Sequence, residues 1–117
     1  MRSQSGAGQS RGMAKPKQVC PHYHGAVELI GRRWAGAILY ALTEGPLHFA
    51  ELKDAVPGMS DRLLSCRLKE LEQAGLVRRE VQPGNRVRVS YELTRKGHSL
   101  EPVIGGLRDW ARHWHRA

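Results

Sequence analysis

The polar residues of one predicted helix, at about residues 60 to 74, are of types that bind polyanions and the hydrogen-bonding edges of bases. Arginine offers a planar fork that matches two acceptors on guanine, serine can bond a base edge or a phosphate, and lysine offers a point charge that suits a phosphate. At 100° per residue these side chains fall opposite the leucines at positions 64, 68 and 71. The candidate contact residues are Ser60, Arg62, Ser65, Cys66 and Lys69.

The same pattern fits an amphipathic helix whose polar side simply meets water, so the neighbouring elements decide between the two interpretations. A short helix is predicted at about Ala50 to Val56, followed by a turn at 57 to 59 that contains glycine. Ser60 is placed to cap the next helix, and Gly75 is placed to end it in a left-handed conformation. Two helices around such a turn are typical of a helix-turn-helix, whose second helix enters the major groove.

Directly after this helix, residues 77 to 93 predict a basic β-hairpin. Val77 to Val81 form the first arm, and residues 83 to 85 are suited to the tight turn of a hairpin. The second arm alternates with a period of two, which predicts one apolar and one polar face. Its alternating pairs are Arg86 and Val87, Arg88 and Val89, Ser90 and Tyr91, and Glu92 and Leu93. At the tip, Asn85 and Arg86 could enter a minor groove, and Arg88 could reach a phosphate.

The remaining patterns complete an α+β, mostly α fold: a winged helix-turn-helix with a two- to three-stranded antiparallel wing and a C-terminal dimerisation helix. Helix one is predicted from Pro21 to Ile30, and helix two from about Arg32 to Thr43. Leu47 to Phe49 could add the third strand. The chain turns helical again from Thr94, and Pro102 should either kink that helix or mark its start.

The last helix has an apolar seam whose members are spaced three, four, three and four, as in a coiled coil. The seam consists of Leu100, Val103, Leu107, Trp110 and Trp114. It could pack against its own domain, but operator-binding dimers are the common geometry for this class of fold, so we predict a homodimer.

The chain has 117 residues and a net charge of +8, which predicts one domain and a polyanionic partner. Residues 1 to 18 contain four cations and no acids and lack apolar periodicity, so we expect a disordered basic tail and a domain at 19 to 117. No apolar run is long enough for a membrane span or a signal peptide. We therefore expect a cytoplasmic protein, associated with the nucleoid, that does not contact a membrane.

Two cysteines are too few for a disulfide scaffold. Cys20 precedes helix one, whose dipole favours a thiolate, so it could respond to oxidants; it could also fill a structural pocket. With His22 and His24 it forms a Cys-x-His-x-His pattern, but residues two apart do not share a helix face, and a fourth ligand is missing. We expect no metal, no cofactor and, for want of a catalytic motif, no enzymatic activity.

An ordered set of motifs in residues 19 to 114 resembles the HxlR-type winged helix-turn-helix regulators. The motifs are Cys20-Pro21, Glu28 to Gly31 with Arg33-Trp34, Gly45 to Phe49 with Glu51-Leu52, Pro57 to Ser60, Leu68 to Glu72 with Gly75 to Val77, and Tyr91 to Thr94 with Gly97. The resemblance implies a bacterial or archaeal transcription factor that dimerises through helix one, with Tyr23 and Val27, and through the last helix. Some members sense oxidants, electrophiles or aldehydes through a cysteine at the position of Cys20. Cys66 departs from the polar residue usual at its position and could be a second sensor.

The sequence thus predicts a regulator that binds double-stranded DNA at a pseudo-palindromic operator, with repression as the expected outcome and an oxidant or small-molecule effector as a further partner. The alternative is a winged-helix module for protein interactions with only non-specific DNA affinity.

Overall fold

The computed structural model describes Met13 and residues 15 to 115. Most of the predicted basic tail, residues 1 to 12 and Ala14, lies outside this range, as do residues 116 and 117. The elements in chain order are α1 (Pro21–Gly31), α2 (Ala35–Ala41), a 3₁₀ turn (Leu42–Glu44), β1 (Leu47–His48), α3 (Phe49–Ala55), α4 (Asp61–Gln73), β2 (Val77–Gln82), β3 (Arg88–Leu93), α5 (Arg95–His98) and α6 (Glu101–Trp114). Within these ranges, no helix is long and apolar enough to cross a bilayer.

The core lies where α2, α3 and α4 pack against the sheet, and α4 contributes its leucine side as predicted. Leu64, Leu68 and Leu71 are all buried, which places the opposite side of α4 at the surface. The largest fully buried side chains are Ile38, Leu39, Leu42, Leu52, Leu64, Leu68 and Leu71. Burial of these aliphatic groups is the main term that stabilises the fold.

The sheet is antiparallel with the order β1, β3, β2, so the predicted third strand is present. The strict alternation predicted for residues 86 to 93 is wrong at two positions. Ser90 is only 5% exposed, because β3 is the central strand and β1 places His48 opposite Ser90. Val87 is 67% exposed, because it lies in the turn before β3. Residues Val89, Tyr91 and Leu93 keep the apolar face.

The second helix starts three residues later than the predicted Arg32. Arg32 is extended, and Trp34 is in the left-handed region with φ 78°, so the chain changes direction before α2 begins at Ala35. Positive φ is unfavourable for a bulky side chain, and periodicity alone cannot reveal it. The predicted end at Thr43 falls in the 3₁₀ turn.

The C-terminal segment is two helices, and Pro102 lies in the first turn of the second one, so it marks the start of α6. The packing of α5 requires a glycine at position 97. A Cβ atom added there would lie 2.2 Å from the carbonyl oxygen of Leu76, which itself accepts from the amide of Thr94 at 3.0 Å. This close approach holds α5 against Leu76, in the link between α4 and β2.

Candidate nucleic-acid interface

The start of α4 is held by side chains on both sides of the turn. The hydroxyl of Ser60 accepts from the amide of Leu63 at 3.1 Å, which confirms its predicted role as the N-cap. Lys53 of α3 donates to the carbonyl oxygen of Met59 at 2.6 Å and pairs with Asp61 at 3.0 Å. These contacts connect α3 to the first turn of α4, which positions the exposed residues that follow.

The end of α4 has the predicted glycine termination. Gly75 has φ 80°, and the amide of Leu76 donates to the carbonyl oxygen of Leu71 at 2.9 Å. Lys96 adds a contact that the sequence reasoning missed, because its ammonium donates to the carbonyl oxygen of Ala74 at 2.9 Å. A cation at a helix C-terminus is favourable, but here it comes from a distant element.

The candidate residues of α4 are exposed on the side opposite the leucines, as predicted. Those residues, with the N-cap, are Ser60, Arg62, Ser65, Cys66 and Lys69. Among the described residues, no carboxylate lies within 4 Å of the charged groups of Arg62 or Lys69. Both cations therefore remain available to an anionic partner.

One flank of α4 is occupied by charged residues that the sequence reasoning did not single out. Arg67 donates to the carbonyl oxygen of Arg33 at 2.8 Å and pairs with Glu70 at 3.3 Å. Glu70 also forms a salt bridge with Arg32, with 3.2 Å between Nε of Arg32 and Oε1 of Glu70. Residues three apart on a helix can pair, so the spacing of Arg67 and Glu70 indicated their ion pair. It could not indicate their contacts with Arg32 and Arg33, which lie before α2.

The wing contains two kinds of arginine. Arg78 donates to Glu92 at 3.0 Å and lies 3.6 Å from Glu80, and its hydrogen bond to Glu92 raises the pKa of the Arg78 guanidinium above its ordinary value. At the tip, Arg86 and Arg88 are exposed, and within the described ranges neither has a carboxylate within 4 Å. Arg79 in β2 is likewise exposed and, among the described residues, has no carboxylate within 4 Å, so the tip and this position of β2 carry the uncompensated charge of the hairpin. Asn85 is exposed at the tip.

Both cysteines are free and exposed. Cys20 directly precedes α1, and its sulfur lies 3.8 Å from Nδ1 of His22. His24 turns to the next helical turn and lies 3.4 Å from Glu28. Cys66 faces solvent on α4, 3.8 Å from Oε2 of Glu70.

A separate surface is apolar, and α1 and α6 supply its side chains. Six of the seven residues predicted for dimerisation are exposed: Tyr23, Val27, Val103, Leu107, Trp110 and Trp114. Leu100, the seventh, is half-buried and packs on the core. A groove of about 440 Å³ runs between α2 and α6 and is lined by Tyr40 of α2 and by Val103 and Leu107 of α6, with Ile30 from the end of α1 also in its lining.

These features define a winged helix-turn-helix protein with a capped, outward-facing second helix and a basic hairpin. The family model of the HxlR-like helix-turn-helix matches residues 29 to 117. The chain belongs to that family and is a transcriptional regulator of the helix-turn-helix type.

Similar proteins agree with this assignment. The regulator YvaP of Bacillus subtilis is 42% identical over 97 residues, which cover 83% of this chain and 90% of YvaP. YodB of the same organism, in the crystal structure of its reduced form, has a TM-score of 0.75 and 39% identity over 85% of this chain and 97% of YodB. The redox regulator HypR in its oxidised form has a TM-score of 0.78 and 32% identity over 84% of this chain and all of the HypR chain. YodB has also been solved in diamide-treated and quinone-bound forms.

Proposed function

We propose that this protein is a homodimeric repressor that binds a pseudo-palindromic operator through α4 and the wing. The observation that supports it is the outward side of α4, where Arg62 and Lys69 are exposed and uncompensated within the described part of the chain. A helix with such a side, backed by buried leucines, fits the major groove. This regulator would act at the nucleoid, and we assign it no enzymatic activity, metal or cofactor.

The side chains of α4 would divide between bases and backbone. Arg62 would read guanine, Ser65 a base edge or phosphate, and Lys69 a phosphate. Ser60 accepts from Leu63 and still has its hydroxyl proton to donate to a phosphate. Cys66 would be a small residue facing the groove.

The wing tip would contact DNA beside the major groove. Asn85 and Arg86 would enter the flanking minor groove, and Arg88 would bind a phosphate, since these arginines are not neutralised by the described acids. Arg78 is excluded from this role, because Glu92 already satisfies it.

The apolar surface of α1 and α6 would bind its counterpart in a second copy. A set of exposed aromatic and aliphatic side chains on the surface marks a protein interface more often than a solvated face. A two-fold dimer would present two α4 helices to successive turns of one duplex, which accounts for the pseudo-palindrome.

Cys20 is the proposed effector site. It is an exposed thiol at the start of α1, next to the apolar surface, and modification there would alter the dimer that holds both α4 helices. The similarity to YodB, solved in quinone-bound form, and to the redox regulator HypR supports an oxidant or electrophile as the effector.

Selection of bound fragments from genomic DNA, followed by fluorescence anisotropy with selected and random duplexes, tests the proposal. We expect tight binding of selected duplexes, and release after diamide or quinone treatment in wild type and Cys66→Ser but not in Cys20→Ser. Equal affinity for all fragments would favour the protein-interaction module instead. Retained release in Cys20→Ser would remove Cys20 as the sensor without affecting operator binding.

A further inference from the structure

The segment between α1 and α2, residues 32 to 34, contacts the helix-turn-helix directly, and we call it the α1–α2 joint. Its left-handed Trp34 places the indole ring against the turn before α4, so that a Cβ on Gly58 would lie 3.3 Å from the ring. The amide of Ala35 donates to the carbonyl oxygen of Arg32 at 3.0 Å, which closes the joint. This is the first of two attachments to the recognition helix.

The second attachment is the Glu70 cluster, formed by Arg32, Arg67 and Glu70. Glu70 accepts from Arg32 with both carboxylate oxygens, at 3.2 and 3.4 Å. It also accepts from Arg67 with both oxygens, at 3.3 and 3.4 Å, while Arg67 donates its Nε to the carbonyl oxygen of Arg33 at 2.8 Å. One carboxylate therefore connects the third turn of α4 to the end of α1.

Burial separates this cluster from ordinary surface ion pairs. The side chain of Arg67 is 17% exposed and that of Glu70 is 28% exposed, whereas Arg32 is about half exposed. A charged group that is mostly out of water depends on its partners, so removal of Glu70 would leave Arg67 poorly compensated. The cluster is thus a defined contact, unlike the Arg108–Asp109 pair, which lies between adjacent residues at the surface.

Two attachments, one before α4 and one near its end, determine both where the helix lies and how it is rotated relative to α1. A DNA base pair corresponds to ~3.4 Å along one strand, so a displacement of a few Å between two recognition helices is equivalent to a change of one base pair in half-site spacing. Because α1 carries the proposed dimer contact, its connection to α4 enters directly into that distance.

We propose that the Glu70 cluster is a positioning device that sets the separation of the two recognition helices in the dimer, and hence the operator spacing that the protein accepts. The inference rests on the proposed function and adds a determinant of specificity that touches no DNA. Arg32 and Glu70 are positioning residues in this scheme.

A spacing series tests this role. We titrate wild type, Glu70→Gln and Arg32→Gln with the selected operator and with versions that have one base pair inserted or deleted at its centre. Glu72→Gln is the control for Glu70→Gln, because it removes the same negative charge from α4. We expect each spacing change to weaken wild type and Glu72→Gln by about tenfold, the scale of one mismatched position. The two cluster variants should lose only about two- to threefold on the same change. Arg32→Gln keeps the test valid if Glu70→Gln folds poorly, because Arg32 is the more exposed partner.

Hydrogen exchange of the free protein is a second test, and it needs no DNA. Glu70→Gln and Arg32→Gln should speed exchange of the Ala35 amide by roughly tenfold relative to Glu72→Gln, because the joint loses its attachment. Exchange equal to that of Glu72→Gln, or unchanged spacing preference in both cluster variants, would overturn the cluster's role and leave the operator proposal standing. A wild type indifferent to spacing would instead overturn the two-fold operator itself.

Discussion

The outward side of α4 and the apolar surface of α1 and α6 differ in what they require from a partner. Arg62 and Lys69 are stable in water, so the first surface is complete in a single chain. Leu107 and Trp114 are 59% and 66% exposed, and a row of such side chains along α6 remains unfavourable until another apolar surface covers it. Under the proposed function, DNA contact would be a property of each chain, whereas the apolar surface would need a second copy.

The same contrast exists between the two sides of α4 itself. On the outward side the cations are uncompensated among the described residues, and on the flank Arg67 is tied to Glu70 and to the carbonyl oxygen of Arg33. On the two proposals above, arginine would serve two roles on one helix, binding an external anion and positioning the helix internally. Variants of each surface should fail in different assays.

The largest effect is expected from Leu107→Glu. A carboxylate placed in the apolar surface would be desolvated without a partner, so we expect the dissociation constant of the dimer to rise by about 100-fold, in the range of hot-spot losses. Sedimentation equilibrium measures it. Val81→Glu, which changes an exposed valine on β2, is the control and should leave the dimer intact. An undiminished Leu107→Glu dimer would show that the surface has another role.

A smaller effect is expected from Arg62→Ala, which should reduce the preference for operator over random duplex by about 1–3 kcal/mol, because a bidentate contact to guanine carries that much discrimination. Anisotropy titrations with both duplexes measure the ratio. The dimer should be unaffected. Equal losses on the two duplexes would reassign Arg62 to the phosphate backbone.

Arg88→Ala should weaken binding to all duplexes alike and flatten the slope of log affinity against log salt by about one unit, because it removes one phosphate contact. Arg78→Ala is the matched control, since it removes the same charge from the wing. Because Arg78 already pairs with Glu92, the loss of Arg78 should leave the salt slope nearly unchanged. Identical salt slopes for Arg88→Ala and Arg78→Ala would mean that the position of an arginine in the wing does not affect its contribution to DNA binding.

The smallest change is Ser60→Ala, which removes the acceptor for the amide of Leu63. The expected cost is ~1 kcal/mol of unfolding free energy, read from urea denaturation of the dimer at fixed protein concentration. The dissociation constant of the dimer should not change, because Ser60 caps α4 and does not belong to the apolar surface of α1 and α6. A neutral result would mean that water satisfies that amide equally well.

Local signals account for the parts of the fold that could be predicted. The boundaries of α4 follow from Ser60 at one end and Gly75 at the other, and both act within one helical turn. The exposure of Arg62 follows from the leucine period in the same way. These signals need only neighbouring residues, so the sequence displays them directly.

Two of the errors, at the start of α2 and at Ser90, occur where distant contacts decide. The start of α2 depends on the left-handed Trp34, whose ring packs on Gly58 far along the chain. Ser90 is buried because β1, more than 40 residues earlier, pairs beside it. An alternating pattern cannot show whether a strand is central or at an edge.

The amino-acid order alone determined the helix-turn-helix, the hairpin and their basic residues, because caps, turns and periodicity are short-range effects. Only the tertiary structure decided which charges stay available and which are internal, since Arg67, Arg78 and Lys96 find their partners through the packing of separate elements. Charge is a property of the residue, but its compensation depends on which groups folding brings within a few ångströms.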